Sequence, residues 1–340
     1  MTDGVASTSR ADLTGLGWDD AWAGAWDDAA QGLGARPGRI LRTHRVGFDA
    51  QTPDGREFVV VKTRGRNPMT APATGDWVVI ANIPDVAEPV ITTVLERRNA
   101  LVRRDPADRA APQVLAANAD VVAVVHGADR PVNPRRLERQ LAVAHGSDAD
   151  VVIVVTKADL PEAPAAVQAV NAAAPGQRVL TTASTDGRGV DAVDALTGDC
   201  DTLVLLGESG AGKSTLVNAV LGYEAVATGG VRGGDAKGRH TTTRRELLAL
   251  PTGGALLDTP GVRAIGLWPD FTDLDTVFGE IAAAEADCRF ADCTHAREPD
   301  CGVTAAVEAG AVDRDRMEAW HQLIAELAAT REQIDRRGWR

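Results

Sequence analysis

The residues Gly207-Glu208-Ser209-Gly210-Ala211-Gly212-Lys213-Ser214-Thr215 follow an apolar run, Thr202-Leu203-Val204-Leu205-Leu206, and fit the pattern G-x-x-x-x-G-K-S. Glycines at those positions let a loop wrap phosphate oxygens with successive backbone N–H groups, and the start of the following helix adds a favourable dipole. Lys213 would neutralise β- and γ-phosphate oxygens, and the Ser214 hydroxyl would ligate Mg²⁺. The chemistry this predicts is the binding of a nucleotide by its phosphates. The loop alone does not say which base is bound.

A second string, Thr156-Lys157-Ala158-Asp159, closes another apolar run at residues 151–155 and fits N/T-K-x-D. Asp159 can accept hydrogen bonds from guanine N1–H and the exocyclic amine, whereas adenine offers an acceptor at N1 and no amine, so the carboxylate selects guanine. The stem of Lys157 would pack over the base. Threonine stands at 156 where asparagine is commoner, which leaves one polar contact open. Thr182 and Ala183, after the next apolar run, suit a segment whose backbone N–H meets guanine O6. Asp258-Thr259-Pro260-Gly261 fits the D-x-x-G switch, with Asp258 holding a Mg²⁺-bound water and the Gly261 N–H meeting a γ-phosphate. The next residue, Val262, cannot hydrogen-bond an attacking water, so intrinsic hydrolysis is expected to be slow. His240, in the Gly- and Thr-rich stretch at residues 229–243, is the candidate to orient or deprotonate that water. Thr242 or Thr243 would complete Mg²⁺ coordination, and a solvated loop histidine is the plain alternative for His240. In an ordinary GTPase the phosphate loop opens the domain and the base-reading motif comes late. Here the order is reversed.

Cys288-x4-Cys293-x-His295-x5-Cys301 supplies three thiolates and one imidazole, a set suited to tetrahedral Zn²⁺ with no open position and hence a structural role. Cys200 stands apart and reads as a plain thiol.

These motifs need elements to hold them. Residues 114–266 alternate short apolar runs with helix-like intervals, such as residues 133–145 and 213–221, which predicts an α/β fold: a doubly wound, mostly parallel sheet. Residues 39–113 instead give short β-rich runs broken by turn signals, at residues 45–48, 57–62, 75–80 and 90–95, the pattern of a small OB-type barrel. Residues 267–340 read as helical around the Cys/His cluster, with residues 314–331 an amphipathic helix and 336–340 a basic tail. Residues 1–38 carry Trp18, Trp22 and Trp26 at helical spacing, expected to dock a short helix on a neighbouring domain. The chain of 340 residues is long enough for such a modular build, and its 44% hydrophobic and 25% charged content excludes wholesale disorder. No apolar run approaches the ~20 residues of a membrane span and the start lacks a secretory pattern, so a cytoplasmic protein with no membrane partner is expected. The net charge of −12 gives no global signature of nucleic-acid binding. Residues 36–109, however, hold thirteen Lys and Arg to nine Asp and Glu. Arg39, Arg42, Arg45, Lys62, Arg64, Arg66, Arg97, Arg98, Arg103 and Arg104 are candidates for an RNA-binding face, against the plain reading of a solvated surface.

Taken together, the residues resemble the circularly permuted GTPases of the small ribosomal subunit-dependent GTPase A family. The resemblance spans nearly the whole chain, from Gly75-Asp76-Trp77-Val78 and Arg136-Leu137-Glu138-Arg139 through the phosphate loop and Gly238-Arg239-His240-Thr241-Thr242-Thr243 to the Cys/His segment. It implies a permuted P-loop GTPase domain behind an amino-terminal OB-type barrel and ahead of a helical zinc-binding domain. It further implies GTP and GDP with Mg²⁺ as ligands, hydrolysis stimulated by the small ribosomal subunit, binding to that subunit's rRNA, and a role late in its maturation. A monomer is expected. The departures are Thr156, Ala211 inside the phosphate loop, and the acidic Trp-bearing amino-terminal extension. A GTP-dependent RNA-binding scaffold with negligible hydrolysis is the alternative.

Overall fold

The computed structural model describes residues 11–30, 34–61, 67–107, 110–198, 201–227, 245–259, 261 and 265–337. The chain starts with two short helices, α1 (Ala11–Thr14) and α2 (Asp20–Ala29), the second capped by Asp19, which accepts a hydrogen bond from Trp22 N at 2.9 Å. Trp18 precedes that cap and Trp22 lies in the helix; both are buried against Trp77, with ring centroids 4.8 and 6.1 Å away.

Trp77 belongs to a barrel. Strands β1 (Arg36–Thr43), β2 (Phe48–Thr52), β3 (Gly55–Val61), β4 (Trp77–Ala81) and β5 (Val90–Val94) pair in the order β1-β2-β3-β5-β4, and an antiparallel β1–β4 pairing closes the ring. Only β3 and β5 run parallel, so this is the five-stranded closed arrangement of an OB-type barrel. Ile40, Phe48, Ala50, Val59, Val78, Ile80 and Ile91 fill its interior. Residues 45–47, expected to be extended, form the turn from β1 to β2, where His44 N donates to Gly47 O at 2.8 Å.

A hairpin of β6 (Ala100–Arg104) and β7 (Pro112–Ala117) leads into the larger sheet. There β8 (Val121–Gly127), β9 (Asp150–Thr156), β10 (Val179–Thr182), β11 (Thr202–Gly207), β12 (Glu246–Ala249) and β13 (Ala255–Asp258) take the order β10-β9-β8-β11-β13-β12. All pairings are parallel except β12 with β13. Alternate residues face opposite sides. Val122, Val124, Ile153, Val155, Val204 and Leu206 pack towards α3 (Pro134–His145) and α4 (Ala163–Ala173), while Val121, Ala123, Val152, Val154, Leu203 and Leu205 pack towards α5 (Val190–Asp194) and α6 (Lys213–Leu221). Burial on both faces explains why these strands read as continuous apolar runs. Asn133 caps α3 through Arg136 N at 3.1 Å with proline at the first helical position, which is why its start was visible in sequence.

The chain runs outward from β8 through β9 to β10, then returns to lay β11 beside β8. That reversal is a topological switch point, where the carboxyl ends of parallel strands open a crevice. After a 3₁₀ turn at Pro269–Phe271 come α7 (Gly279–Glu285), α8 (Gly302–Glu308) and α9 (Arg314–Arg337). Helix α9 outlasts the expected span. Arg336 and Arg337 form its last turn rather than a tail, with Arg336 paired to Glu332 at 2.5 Å.

Candidate nucleotide-binding site and metal cluster

The phosphate loop leaves β11 at the switch point and enters α6 at Lys213. Gly212 has φ +89°, and a Cβ there would stand 2.7 Å from Thr156 Oγ1, so both backbone and neighbour demand glycine. The buried Lys213 ammonium donates to Gly207 O and Glu208 O, each at 2.8 Å. Burial pulls its pKa down to about 8, against an opposing pull from Asp258.

Asp258 ends β13 beside the loop. Burial pushes its pKa up to about 6, which the charge of Lys213 only partly offsets, and its buried Oδ1 makes no hydrogen bond. Thr259 donates to Leu205 O at 2.5 Å. Gly261 lies so close to the loop that a Cβ would come 2.4 Å from Ser209 N, so any side chain there would push the second switch off the phosphate loop.

From the other side, β9 delivers the string at 156–159. The Thr156 hydroxyl donates to Ala211 O at 2.5 Å, and Lys157, at φ +59°, sends its ammonium to Gly210 O at 3.0 Å and Asp129 Oδ2 at 2.6 Å. The contact left open at 156 in the sequence is therefore made by a hydroxyl. Asp159 is exposed, and Ala158 N donates to Thr182 O at 2.9 Å. Within the segment expected to meet guanine O6, the Ala183 N–H is donated to Arg188 O at 2.9 Å. His240, Thr242, Thr243, Val262 and Cys200 lie outside the described residues, as do Lys62, Arg64 and Arg66.

The sequence patterns did not single out Asp129 or Arg130, and gave Arg136 no role at the phosphate loop. Arg130 Nη1 donates to Ser209 O at 3.1 Å, and Arg136 pairs with Glu208 at 2.5 Å. Asp129 and Arg130 directly follow β8, and charged residues just past a parallel strand at a switch point were the available signal.

The cysteine segment joins α7 to α8. Cys288 Sγ stands 3.9 Å from Cys301 Sγ and 3.5 Å from His295 Nδ1, and all four donor atoms, Cys293 included, lie within 4.8 Å of one another. A zinc tetrahedron with Zn–S bonds of about 2.3 Å has S–S edges of about 3.8 Å, so the set fits the ion. His295 Nε2 is 3.1 Å from Glu285 Oε1, the outer partner that leaves Nδ1 as the ligand nitrogen.

Most of the candidates for a basic face bond within the chain. Arg39 is 1% exposed and bonds Leu16 O, Gly75 O and Thr202 Oγ1 under the Trp77 ring. Arg42 pairs with Glu246, Arg97 with Asp76 at 2.7 Å, Arg98 with Asp19 and Arg104 with Glu326. Arg103 bonds Gln113 at 3.0 Å, and Arg45 is exposed at the β1–β2 turn.

Residues 94–268 match the RsgA GTPase family. A relative from Streptomyces coelicolor, "Small ribosomal subunit biogenesis GTPase RsgA", is 43% identical over 96% of this chain and 89% of its own length. A namesake from Opitutus terrae is 41% identical over 95% and 92%. The chain belongs to the RsgA GTPase family. Its fold agrees with a crystal structure of YjeQ from Thermotoga maritima, TM-score 0.60 at 25% identity, covering 86% of this chain and 99% of that one. YloQ, described as a circularly permuted GTPase, matches with a TM-score of 0.59 at 25% identity, over 88% and 97%. As an RsgA-family protein the chain is a GTP hydrolase. The unbonded carboxylate oxygen of Asp258 beside Lys213 fits the Mg²⁺ that accompanies guanine nucleotides in such enzymes. Among the described residues no helix is long and apolar enough to cross a membrane.

Proposed function

We propose that this GTPase acts in maturation of the small ribosomal subunit, hydrolysing GTP to GDP and phosphate when that subunit and its rRNA engage it, as a cytoplasmic monomer. The observation that carries the reading is the bonding of the guanine-type string to the phosphate loop, Thr156 to Ala211 and Lys157 to Gly210, at the switch point of the sheet. In this reading Asp159 selects guanine, and residues 207–215 hold the phosphates. Lys213 and Mg²⁺, the latter held through Ser214, Asp258 and Thr242 or Thr243, supply charge stabilisation to the phosphoryl group. His240 orients or deprotonates water once its stretch meets the nucleotide. The Cys288, Cys293, His295 and Cys301 set carries one structural Zn²⁺.

GTP turnover measured with and without purified small subunits tests this. Stimulation of at least about 100-fold is expected, the lower end of what a positioned catalytic group contributes. Absence of stimulation leaves the scaffold reading, in which GTP only controls RNA binding. His240→Ala is expected to cut stimulated turnover while GDP affinity holds; unchanged turnover removes His240 from the mechanism.

A further inference from the structure

Arg130 stands three residues beyond β8 and reaches the phosphate loop. Its Nη1 donates to Ser209 O at 3.1 Å, and its Nη2 lies 3.0 Å from where a Cβ on Gly210 would stand. Counter-charges sit at the margins: Nε is 3.5 Å from Asp129 Oδ1, and Nη1 is 3.8 Å from Glu208 Oε2. Nε is shielded from solvent yet makes no hydrogen bond. Asp129 and Glu208 are themselves shared with better placed partners, Lys157 at 2.6 Å and Arg136 at 2.5 Å. A planar cation with unused donors is therefore held beside the loop by weak, off-axis pairs.

The two loop residues beneath it are consecutive members of the phosphate loop. Ser209 is the residue Gly261 packs on, which marks the γ-phosphate side, and Gly210 receives Lys157, which marks the base side. The guanidinium thus lies over the loop where its γ-phosphate side meets its base side, within reach of a β–γ bridge if the loop holds GTP. In phosphoryl transfer, negative charge moves onto the bridge and β-phosphate oxygens as the bond to the γ-phosphorus breaks. Lys213 meets that charge from within. The valine side chain at 262 offers no hydrogen bond of its own.

We propose that Arg130 is a catalytic residue, an arginine supplied in cis from the β8–α3 connection that contacts the β–γ phosphate oxygens through Nε and Nη2 and stabilises leaving-group charge. The inference rests on the reading that residues 207–215 hold GTP. Arginine suits the task because its fork donates two parallel bonds to phosphate oxygens. Its side chain is 30% exposed, so its effect is smaller than the roughly 10³–10⁵ of an arginine delivered into a closed site.

The test compares the full-length protein with Arg130→Ala and Arg130→Lys in small-subunit-stimulated GTP turnover, GDP affinity and affinity for GDP with aluminium fluoride, a mimic of the transferring phosphoryl group. Arg130→Ala is expected to lower kcat about 10- to 100-fold and weaken the aluminium fluoride complex in parallel, while GDP affinity changes less than about threefold. Arg130→Lys should recover part of the rate, and added guanidinium ion should partly rescue Arg130→Ala, which no purely structural role would produce. Turnover of Arg130→Ala within about threefold of the parent, or equal losses for GDP and the mimic, overturns the assignment. A parent protein that turns over no GTP with small subunits sinks the functional reading instead.

Discussion

Asp258 and Lys213 are two buried charges that face each other, and the values near 6 and 8 keep both ionised at pH 7. A raised carboxylate pKa means that the folded protein holds its proton more tightly than the unfolded chain. Stability from that proton is present below about pH 4, the ordinary Asp value, and is lost as pH rises through about 6. Asp258→Asn removes the titration. Without nucleotide, the variant is therefore expected to gain on the parent by roughly 1–3 kcal/mol between pH 4 and pH 7, read as a Tm difference that widens with pH. The same variant should lose Mg²⁺-dependent turnover at every pH. A Tm difference independent of pH would show that Asp258 is not the strained carboxylate. Thr156 gives a second case, since Thr156→Val keeps its shape and leaves Ala211 O without the hydroxyl. A cost of about 1 kcal/mol, or roughly fivefold in GDP affinity, is expected, with Thr156→Ser retaining the parent value in a titration calorimeter.

Elements whose ends are set by local chemistry were legible in the sequence. Helix α3 begins after Asn133-Pro134 and α6 begins at the lysine of the phosphate loop, and both match the expected intervals. Elements set by distant partners were not legible: α9 continues past 331 as Ile334 packs beside Trp268, and residues 45–47 turn where β1 must meet β2. The segment between α7 and α8 has little regular structure, so its clustered cysteines and histidine and the cap that Cys301 Sγ gives Thr304 N at 3.4 Å must hold it. On the proposal that the cluster carries zinc, a chelator or Cys301→Ser is expected to abolish zinc binding and expose His295 and Trp320, whose rings now lie 5.3 Å apart, to solvent. Tryptophan fluorescence and metal analysis read this. GDP affinity should stay within about twofold, because the cluster lies apart from the phosphate loop.

At the scale of the molecule, motif order told the fold, while charge counting did not reveal the arginines' partners within the chain. Arginines that were candidates for an RNA-binding face find partners far along the chain, Arg42 with Glu246 and Arg104 with Glu326, separations that no local pattern reveals. Those partners are informative in another way. Glu326 of α9 receives Arg104 of β6 at 3.1 Å and Arg139 of α3 at 2.6 Å, and its Oε1 lies 3.4 Å from Leu267 N. Arg139 also donates to Ile265 O, and Arg104 N to Gly266 O. One carboxylate therefore ties the helix that packs on the cysteine cluster to the strand of chain leaving the second switch. The permuted order makes this possible, since it places the switch directly ahead of the carboxyl-terminal helices. If nucleotide state reaches those helices through this hub, Glu326→Ala frees them from it. Small-subunit affinity, measured by co-sedimentation with GDP and with a non-hydrolysable GTP analogue, should then differ less than about threefold between the two nucleotides, whereas the parent prefers the GTP form by the 5- to 150-fold typical of coupled sites. Nucleotide affinity of the variant in the absence of subunits should be nearly unchanged, because Glu326 touches neither the phosphate loop nor the residues at 156–159. A variant that kept the parent's preference would place the coupling elsewhere, and Arg316, which joins α9 to Glu138 at 3.4 Å and to Val277 O at 2.6 Å, would be the next contact to break.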